Sequence, residues 1–156
     1  MLAAVRRVLL TGMSGTGKSS VIAALAARGY RAVDTDDGWC EPAADGRQRW
    51  REDAVSELLA AEDAGVLFVA GCEENQVAFH PRSDVIILLS APPQVLTGRL
   101  ASRASSCYGK SPSDVARVLE DAGAVEPRLR AVADREIATM VPLGEVVAEV
   151  LRLAGV

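Results

Sequence analysis

One run of residues constrains this chain more than any other: Gly12-Met13-Ser14-Gly15-Thr16-Gly17-Lys18-Ser19. It fills every fixed position of the pattern G-x-x-x-x-G-K-[ST]. An apolar stretch at residues 5–10 precedes it, and an Ala- and Leu-rich stretch at 19–28, which Gly29 can stop, follows it. The spacing therefore predicts a strand, a loop and a helix in succession. Glycines let the backbone take left-handed angles and turn successive N–H groups inward, making a concave nest for phosphate oxygens at the positive end of a helix. Gly12, Ser14, Gly15, Thr16, Gly17, Lys18, Ser19 and Ser20 are the expected phosphate contacts. Lys18 would hold the β- and γ-phosphates and Ser19 would ligate Mg²⁺. The plainer alternative is a glycine-rich turn that binds nothing. Lysine usage favours the phosphate reading: of 17 basic residues only Lys18 and Lys110 are lysines, and a guanidinium does not replace an ammonium point charge in such a loop.

Downstream, short apolar runs at 30–33, 66–70 and 84–89 read as strands. Helical periodicity covers 47–64 through Trp50, Ala54, Leu58 and Ala61, and helices are also expected from Pro92 and Pro93 to Leu100, at 113–122 and at 126–137. A last strand at 138–141 and an amphipathic helix at 142–153 close the chain. Strands alternating with helices imply an α/β three-layer sandwich, a mostly parallel five-stranded sheet with helices on both faces. At 156 residues one core is expected, hence one domain over 1–156. Residues 102–113, rich in small and polar side chains, read as a short lid.

Hydrophobic residues make up 49% and charged residues 24%, which excludes a disordered or fibrous chain. A net charge of -4 without a basic run argues against nucleic-acid partners. No apolar run approaches the roughly 20 residues of a membrane span. Cys40, Cys72 and Cys107 fit no metal-ligand spacing and leave one thiol over if two pair, so a reduced, cytoplasmic setting is the simplest reading.

A phosphate loop alone does not say where a γ-phosphoryl group goes. The strand at 66–70 ends in Gly71-Cys72 instead of the Asp of motor ATPases, and the acids instead follow the second strand as Asp34-Thr35-Asp36-Asp37. Residues at i and i+2 of an extended segment point the same way, so Asp34 and Asp36 can both face the phosphate seat. An acidic turn capping the next helix is the alternative, and Asp37 suits that role best.

With its loop and its D-x-D after the second strand, the sequence resembles the P-loop small-molecule kinases of the P-loop NTPase, nucleoside-monophosphate-kinase-like class, shikimate kinase most of all. The resemblance implies ATP and Mg²⁺ as cofactors, Asp34 holding the metal through water, and Asp36 holding the acceptor hydroxyl and taking its proton. Pro93-Gln94-Val95-Leu96 followed by Arg99 looks like that group's segment leading to an adenine-stacking arginine, and Arg103 or Lys110 in the lid would reach the transferring group. Solvated surface charge is the alternative for these three. Val125 stands where shikimate kinases carry an arginine two residues before a proline, so shikimate itself is not implied. Arg47, Arg49 and Arg51 could serve an anionic acceptor instead.

His80, before Pro81, has no partner pattern and reads as structural. Trp39 and Trp50 read as core or pocket wall, and Glu73, Glu74, Asn75 and Gln76 as secondary acceptor contacts at the sheet's C-terminal edge. The expected activity is ATP-dependent transfer of the γ-phosphoryl to a hydroxyl of a small molecule. The competing readings are a nucleotide-binding regulatory protein without kinase activity, or a kinase acting on nucleic-acid ends.

Overall fold

The structure, a computed structural model, describes residues 4–13, 15–102 and 111–156. Ser14, Arg103, Cys107, Tyr108 and Lys110, with most of the expected lid, lie outside the described residues. The elements run β1 Arg6–Thr11, α1 Lys18–Ala27, β2 Arg31–Asp34, β3 Cys40–Pro42, β4 Gln48–Trp50, α2 Glu52–Ala60 and β5 Val66–Ala70. A 3-10 helix at Glu74–Arg82 follows, then β6 Val85–Ser90, α3 Pro93–Ser102, α4 Pro112–Ala124, α5 Glu126–Val132, β7 Arg135–Ala138 and α6 Leu143–Ala154.

Five strands form one sheet in the order β2-β5-β1-β6-β7, and every pairing is parallel. Parallel strands need covering on both faces, and the apolar runs supply it. Val8, Leu10, Phe68, Ala70, Ile87 and Leu89 meet Val21, Ile22 and Leu25 of α1 and Val146, Val147 and Val150 of α6 on one face. Leu9, Val33, Leu67, Val69 and Ile86 meet Trp50, Phe79 and Val55, Leu58 and Leu59 of α2 on the other. A third cluster joins Met13 and Leu88 to Leu96, Leu100, Val118, Ala122 and Leu129. This is the expected three-layer α/β sandwich. Among the described residues no helix is long and apolar enough to cross a membrane.

Local signals stop α1 and start α4 where the sequence places them. Gly29, at φ 90°, stops α1 while the Tyr30 N–H donates back to the Leu25 carbonyl at 3.2 Å. Ser111 caps α4 by accepting from the Asp114 N–H at 3.1 Å, with Pro112 in the first turn.

Two expected helices are shorter than their periodicity suggests, and both lost segments became strands. The helix expected over 47–64 begins only at Glu52. Residues 48–50 instead pair antiparallel with 40–42, Cys40 opposite Trp50. The hairpin turns through Gly46 at φ 82°, with the Arg47 N–H donating to Asp45 Oδ1 at 3.0 Å, so Arg47, Arg49 and Arg51 do not share a helix. The helix expected over 126–137 stops at Val132, and Arg135–Ala138 joins the sheet beside β6, with Ile137 in the core. The strand expected at 138–141 is thus shifted three residues toward the N-terminus. In both places a partner distant in sequence overrides local helical preference.

Candidate active site

β1 lies at the centre of the sheet, and the 12–19 loop leaves its C-terminal end. Gly12 has φ 150°, and a Cβ there would run into the Leu89 carbonyl oxygen and lie 2.9 Å from Thr16 Oγ1. At Gly15, φ 88°, a Cβ would stand 3.0 Å from the Leu96 carbonyl oxygen. Both positions require glycine for backbone angle and for space. Gly17, φ 100°, heads α1 in the left-handed conformation. The Thr16 side chain is fully buried and its hydroxyl donates to the Met13 carbonyl at 2.8 Å, so it fixes the shape of the loop.

Lys18 Nζ donates to the carbonyls of Gly12 at 2.5 Å and Met13 at 3.0 Å. Burial lowers its pKa, while Cys72, Asp36, Asp34 and Glu73 act in the opposite direction. The ammonium therefore sits among the acids named from the sequence. The Ser19 hydroxyl donates to Asp34 Oδ2 at 2.5 Å, and Asp34 Oδ1 accepts from the Asp36 N–H at 3.1 Å.

Thr35 anchors this arrangement from below. Its N–H and its hydroxyl both donate to the Ala70 carbonyl, at 3.0 and 2.8 Å, and its Oγ1 accepts from Trp50 Nε1 at 3.0 Å. Thr35 is fully buried while Asp34 is half-buried and Asp36 exposed; β2 ends at Asp34 and the chain turns at once, the Asp37 N–H donating to the Asp34 carbonyl at 3.0 Å, so a turn and not the expected extended segment sets Asp36 beside Asp34. Carboxylate oxygens of Asp36 and Glu73 and the thiol of Cys40 all lie within 4.8 Å of one another. Burial first, then Asp36, pushes the Glu73 carboxyl up to about 7, with Lys18 opposing. The Cys40 thiol, which donates to the Thr35 carbonyl at 3.3 Å, is pushed up to about 12 by burial and then by Glu73, Asp36 and Asp34, partly offset by the Thr35 side chain. Burial likewise raises Cys72, whose thiol faces Lys18, Thr11 and the Gly12 backbone.

On the other flank of the loop, Arg99 donates to the Gly15 carbonyl at 3.1 Å, to Thr139 Oγ1 at 2.9 Å and to the Thr139 carbonyl at 2.7 Å. It borders a cleft of about 270 Å³ with Thr16, Gly17, Ser20, Val141 and Leu143. Polar loop atoms on one side and aliphatic side chains on the other suit a nucleoside joined to phosphates.

A family model described as an AAA domain matches residues 8–120. The chain belongs to the AAA-domain family. This match spans the glycine loop, the acids and the strands of the sheet other than β7, and ends within α4. No curated protein sequence matches the chain. Among solved structures, shikimate kinase from Acinetobacter baumannii in complex with shikimate is similar at TM-score 0.69 and 15% identity, covering 96% of this chain and 93% of that one. A gluconokinase from Sinorhizobium meliloti 1021 gives 0.65 and 22%, covering 96% and 91%. Shikimate kinase from Bacteroides thetaiotaomicron gives 0.69 and 18%, covering 97% and 99%. The resemblance to P-loop small-molecule kinases drawn from the loop and acid pair is borne out, and at these identities the likeness carries the fold.

Within this AAA-domain fold, Gly12, Gly15, Thr16, Gly17, Lys18, Ser19, Ser20, Asp34, Asp36 and Arg99 all gather at the C-terminal edge of the sheet. The hairpin arginines are engaged elsewhere. Arg47 faces Asp121 at 3.8 Å, Arg49 reaches Glu52 at 2.6 Å and Glu41 at 3.6 Å, and Arg51 donates to the Gly38 carbonyl at 3.1 Å. Trp50 is core and Trp39 is half-buried against the same cluster. Gln76 is buried, its amide donating to Thr11 Oγ1 at 3.0 Å, so it braces β1. Burial alone lowers the His80 pKa, with no charged neighbour contributing, as suits a structural histidine. Cys40 is the participant that sequence reasoning missed. No spacing signals it, because its neighbour Glu73 is 33 positions away.

Proposed function

We propose that this chain is an ATP-dependent phosphotransferase that moves the γ-phosphoryl group to a hydroxyl of a small molecule. The observation that carries the reading is the contact between the Ser19 hydroxyl and the Asp34 carboxylate, directly beside Lys18 and Asp36. Two hard oxygen donors next to a phosphate nest suit Mg²⁺, so Ser19 would hold the ion directly and Asp34 through water. The metal would neutralise charge on the phosphate oxygens.

The chain's own residues account for the rest. Loop N–H groups and Lys18 hold the phosphates, Lys18 exchanging its two carbonyl partners for phosphate oxygens. The cleft beside Arg99 takes the nucleoside. Asp36 orients the acceptor hydroxyl and accepts its proton as the new O–P bond forms and the bond from the γ-phosphorus to the leaving ADP oxygen breaks. Arg103 or Lys110 supplies a lid cation that offsets charge on the transferring group, and closure of the lid excludes water. This reading has the chain working as one domain over residues 1–156 in the cytoplasm. Its partners are ATP, Mg²⁺ and a small hydroxyl compound, with no membrane or nucleic acid required.

A screen of hydroxyl metabolites with γ-labelled ATP, read by mass, tests the proposal. One or more should gain a phosphoryl group with ADP formed in equal amount. Slow ATP hydrolysis that no metabolite alters would refute it and support a regulatory nucleotide binder, and label on an oligonucleotide would redirect it to nucleic-acid ends.

A further inference from the structure

Arg99 is tied into the framework through both terminal nitrogens of its guanidinium. Nη1 donates to the Gly15 carbonyl at 3.1 Å and to Thr139 Oγ1 at 2.9 Å, and Nη2 donates to the Thr139 carbonyl at 2.7 Å. Thr139 is itself fixed to the sheet: it is buried, and its N–H and hydroxyl both donate to the Ser90 carbonyl, at 2.8 and 3.3 Å. At the other end, the peptide between Gly15 and Thr16 is held from two sides. Its N–H donates to the Met13 carbonyl at 3.2 Å, and its carbonyl accepts from Arg99. The two groups of a trans peptide point in opposite directions. Lys18 Nζ also reaches the Met13 carbonyl, so the N–H of this peptide lies on the side of the phosphate seat and its carbonyl on the outer side. Gly15 has φ 88° and no Cβ, so no side chain on that residue opposes rotation of the peptide.

We infer that Arg99 is a positioning residue of the phosphate loop: by holding the Gly15 carbonyl outward it keeps that oxygen away from the phosphate seat, independently of any contact with the nucleoside. The inference rests on the phosphotransferase reading and deepens it. With the peptide turned over, the Gly15 carbonyl would face the triphosphate, oxygen against oxygen, in a loop that binds phosphate through N–H groups. An arginine suits this task and a lysine does not. The planar fork reaches Gly15 and Thr139 together, whereas an ammonium is a point charge on a flexible stem. α3 brings the fork to the loop because the two are in contact: a Cβ on Gly15 would stand 3.0 Å from the carbonyl oxygen of Leu96, about one turn before Arg99.

The test measures the Kd of magnesium tripolyphosphate, which has the phosphates of ATP and no nucleoside, beside that of Mg-ATP, by calorimetry on the full chain. Arg99→Ala should weaken tripolyphosphate and ATP alike, by at least about tenfold, the worth of one hydrogen bond to a charged group. Arg99→Lys should recover only part of that loss. Thr139→Val, which removes one anchor of the arginine, should weaken tripolyphosphate about threefold or more, and Thr139→Ser, which keeps the hydroxyl, should not. A loss confined to ATP would make Arg99 a nucleoside contact, and full tripolyphosphate affinity in Arg99→Lys would make it a charge alone. Either result overturns the inference while the phosphotransferase reading stands, as does a wild type that binds Mg-ATP and not tripolyphosphate. A wild type that binds neither overturns both. If Arg99→Ala fails to fold, the Thr139 pair decides, and equal tripolyphosphate affinities in those two variants overturn the inference.

Discussion

Replacing Gly71 by alanine probes the joint that holds the acids in place. Gly71 is buried at the end of β5, where its N–H donates to the Leu10 carbonyl at 3.1 Å. A Cβ added there would overlap Thr35 Oγ1 and stand 2.9 Å from both Cζ2 and Nε1 of Trp50. Neither neighbour can yield cheaply. Thr35 is fully buried and engaged with Ala70 and Trp50, and Trp50, 1% exposed, packs against Phe79 with ring centroids 5.6 Å apart. Overpacking a close-fitted core costs about 1–3 kcal/mol, and breaking a buried hydrogen bond adds about 1–3 kcal/mol. Gly71→Ala should therefore destabilise by roughly 2–6 kcal/mol, measured by urea unfolding at constant m-value. Trp50→Phe removes the indole N–H and one crowding atom, so the same alanine in that background should cost at least about 1 kcal/mol less. A loss under about 0.5 kcal/mol, or two costs that simply add, would show that Gly71 is not glycine for want of space beside Thr35 and Trp50.

Lys18→Ala should reduce phosphoryl transfer at least about a hundredfold. Since burial opposes the charged ammonium in the folded state, the nucleotide-free variant should keep or raise its Tm while the rise on adding Mg-ATP disappears; a large Tm loss without nucleotide would contradict this. Asp36→Asn should lower turnover strongly with ATP affinity largely kept, as calorimetry would show, and unchanged turnover removes Asp36 from the proton transfer. For Glu73 the folded-state pKa is raised from 4.5 to about 7, so the folded protein binds that proton more tightly than the unfolded chain. Its contribution to stability is then full below about pH 4.5 and lost as pH rises through about 7, and Glu73→Gln should remove that decline, about 1–2 kcal/mol after discounting for partial exposure, in urea melts across this range.

What the sequence discloses about this molecule depends on how local each feature is. The loop is legible because its fixed residues are contiguous: the positive φ angles of Gly12, Gly15 and Gly17 are local, and Lys18 folds back onto carbonyls five and six positions before it, whereas the crowding of Gly12 and Gly15 by the Leu89 and Leu96 carbonyls is not. Asp34 and Asp36 are legible as a pair because they stand two residues apart where β2 ends, although a turn and not strand alternation sets their geometry. The hairpin at 40–50 is not. Trp50 lies at helical spacing from Ala54, Leu58 and Ala61, yet its indole is claimed by Thr35 and its backbone N–H by Asn75 Oδ1 at 2.9 Å, a partner 25 positions away. Residues 135–138 carry an equally plausible helical pattern, overridden because the Asp134 N–H donates to the Ile86 carbonyl at 2.8 Å and the Asp134 carboxylate accepts from the Ile86 N–H at 2.8 Å, which starts pairing with β6. Arg99 could be named as a candidate, but not its grip on Thr139, 40 positions on.

The strand order explains why an unmotivated acid enters the site. β5 lies between β1, which bears the loop, and β2, which bears the acids, so the two motif-bearing strands are about 9–10 Å apart. Leu10, Ala70 and Asp34 share one register across that gap. The Ser19 hydroxyl on the first turn of α1 reaches the Asp34 carboxylate over the end of β5, which makes residues 71–73 the floor between phosphate seat and acids. Whatever follows β5 therefore contacts both sides: Cys72 faces Lys18, and Glu73 faces Lys18 and Asp36 together. Neither residue belongs to the glycine pattern or to the acid pair. Chains with this strand order can hold those two motifs fixed and still change what lies between them, and in this chain that position presents a half-buried carboxylate.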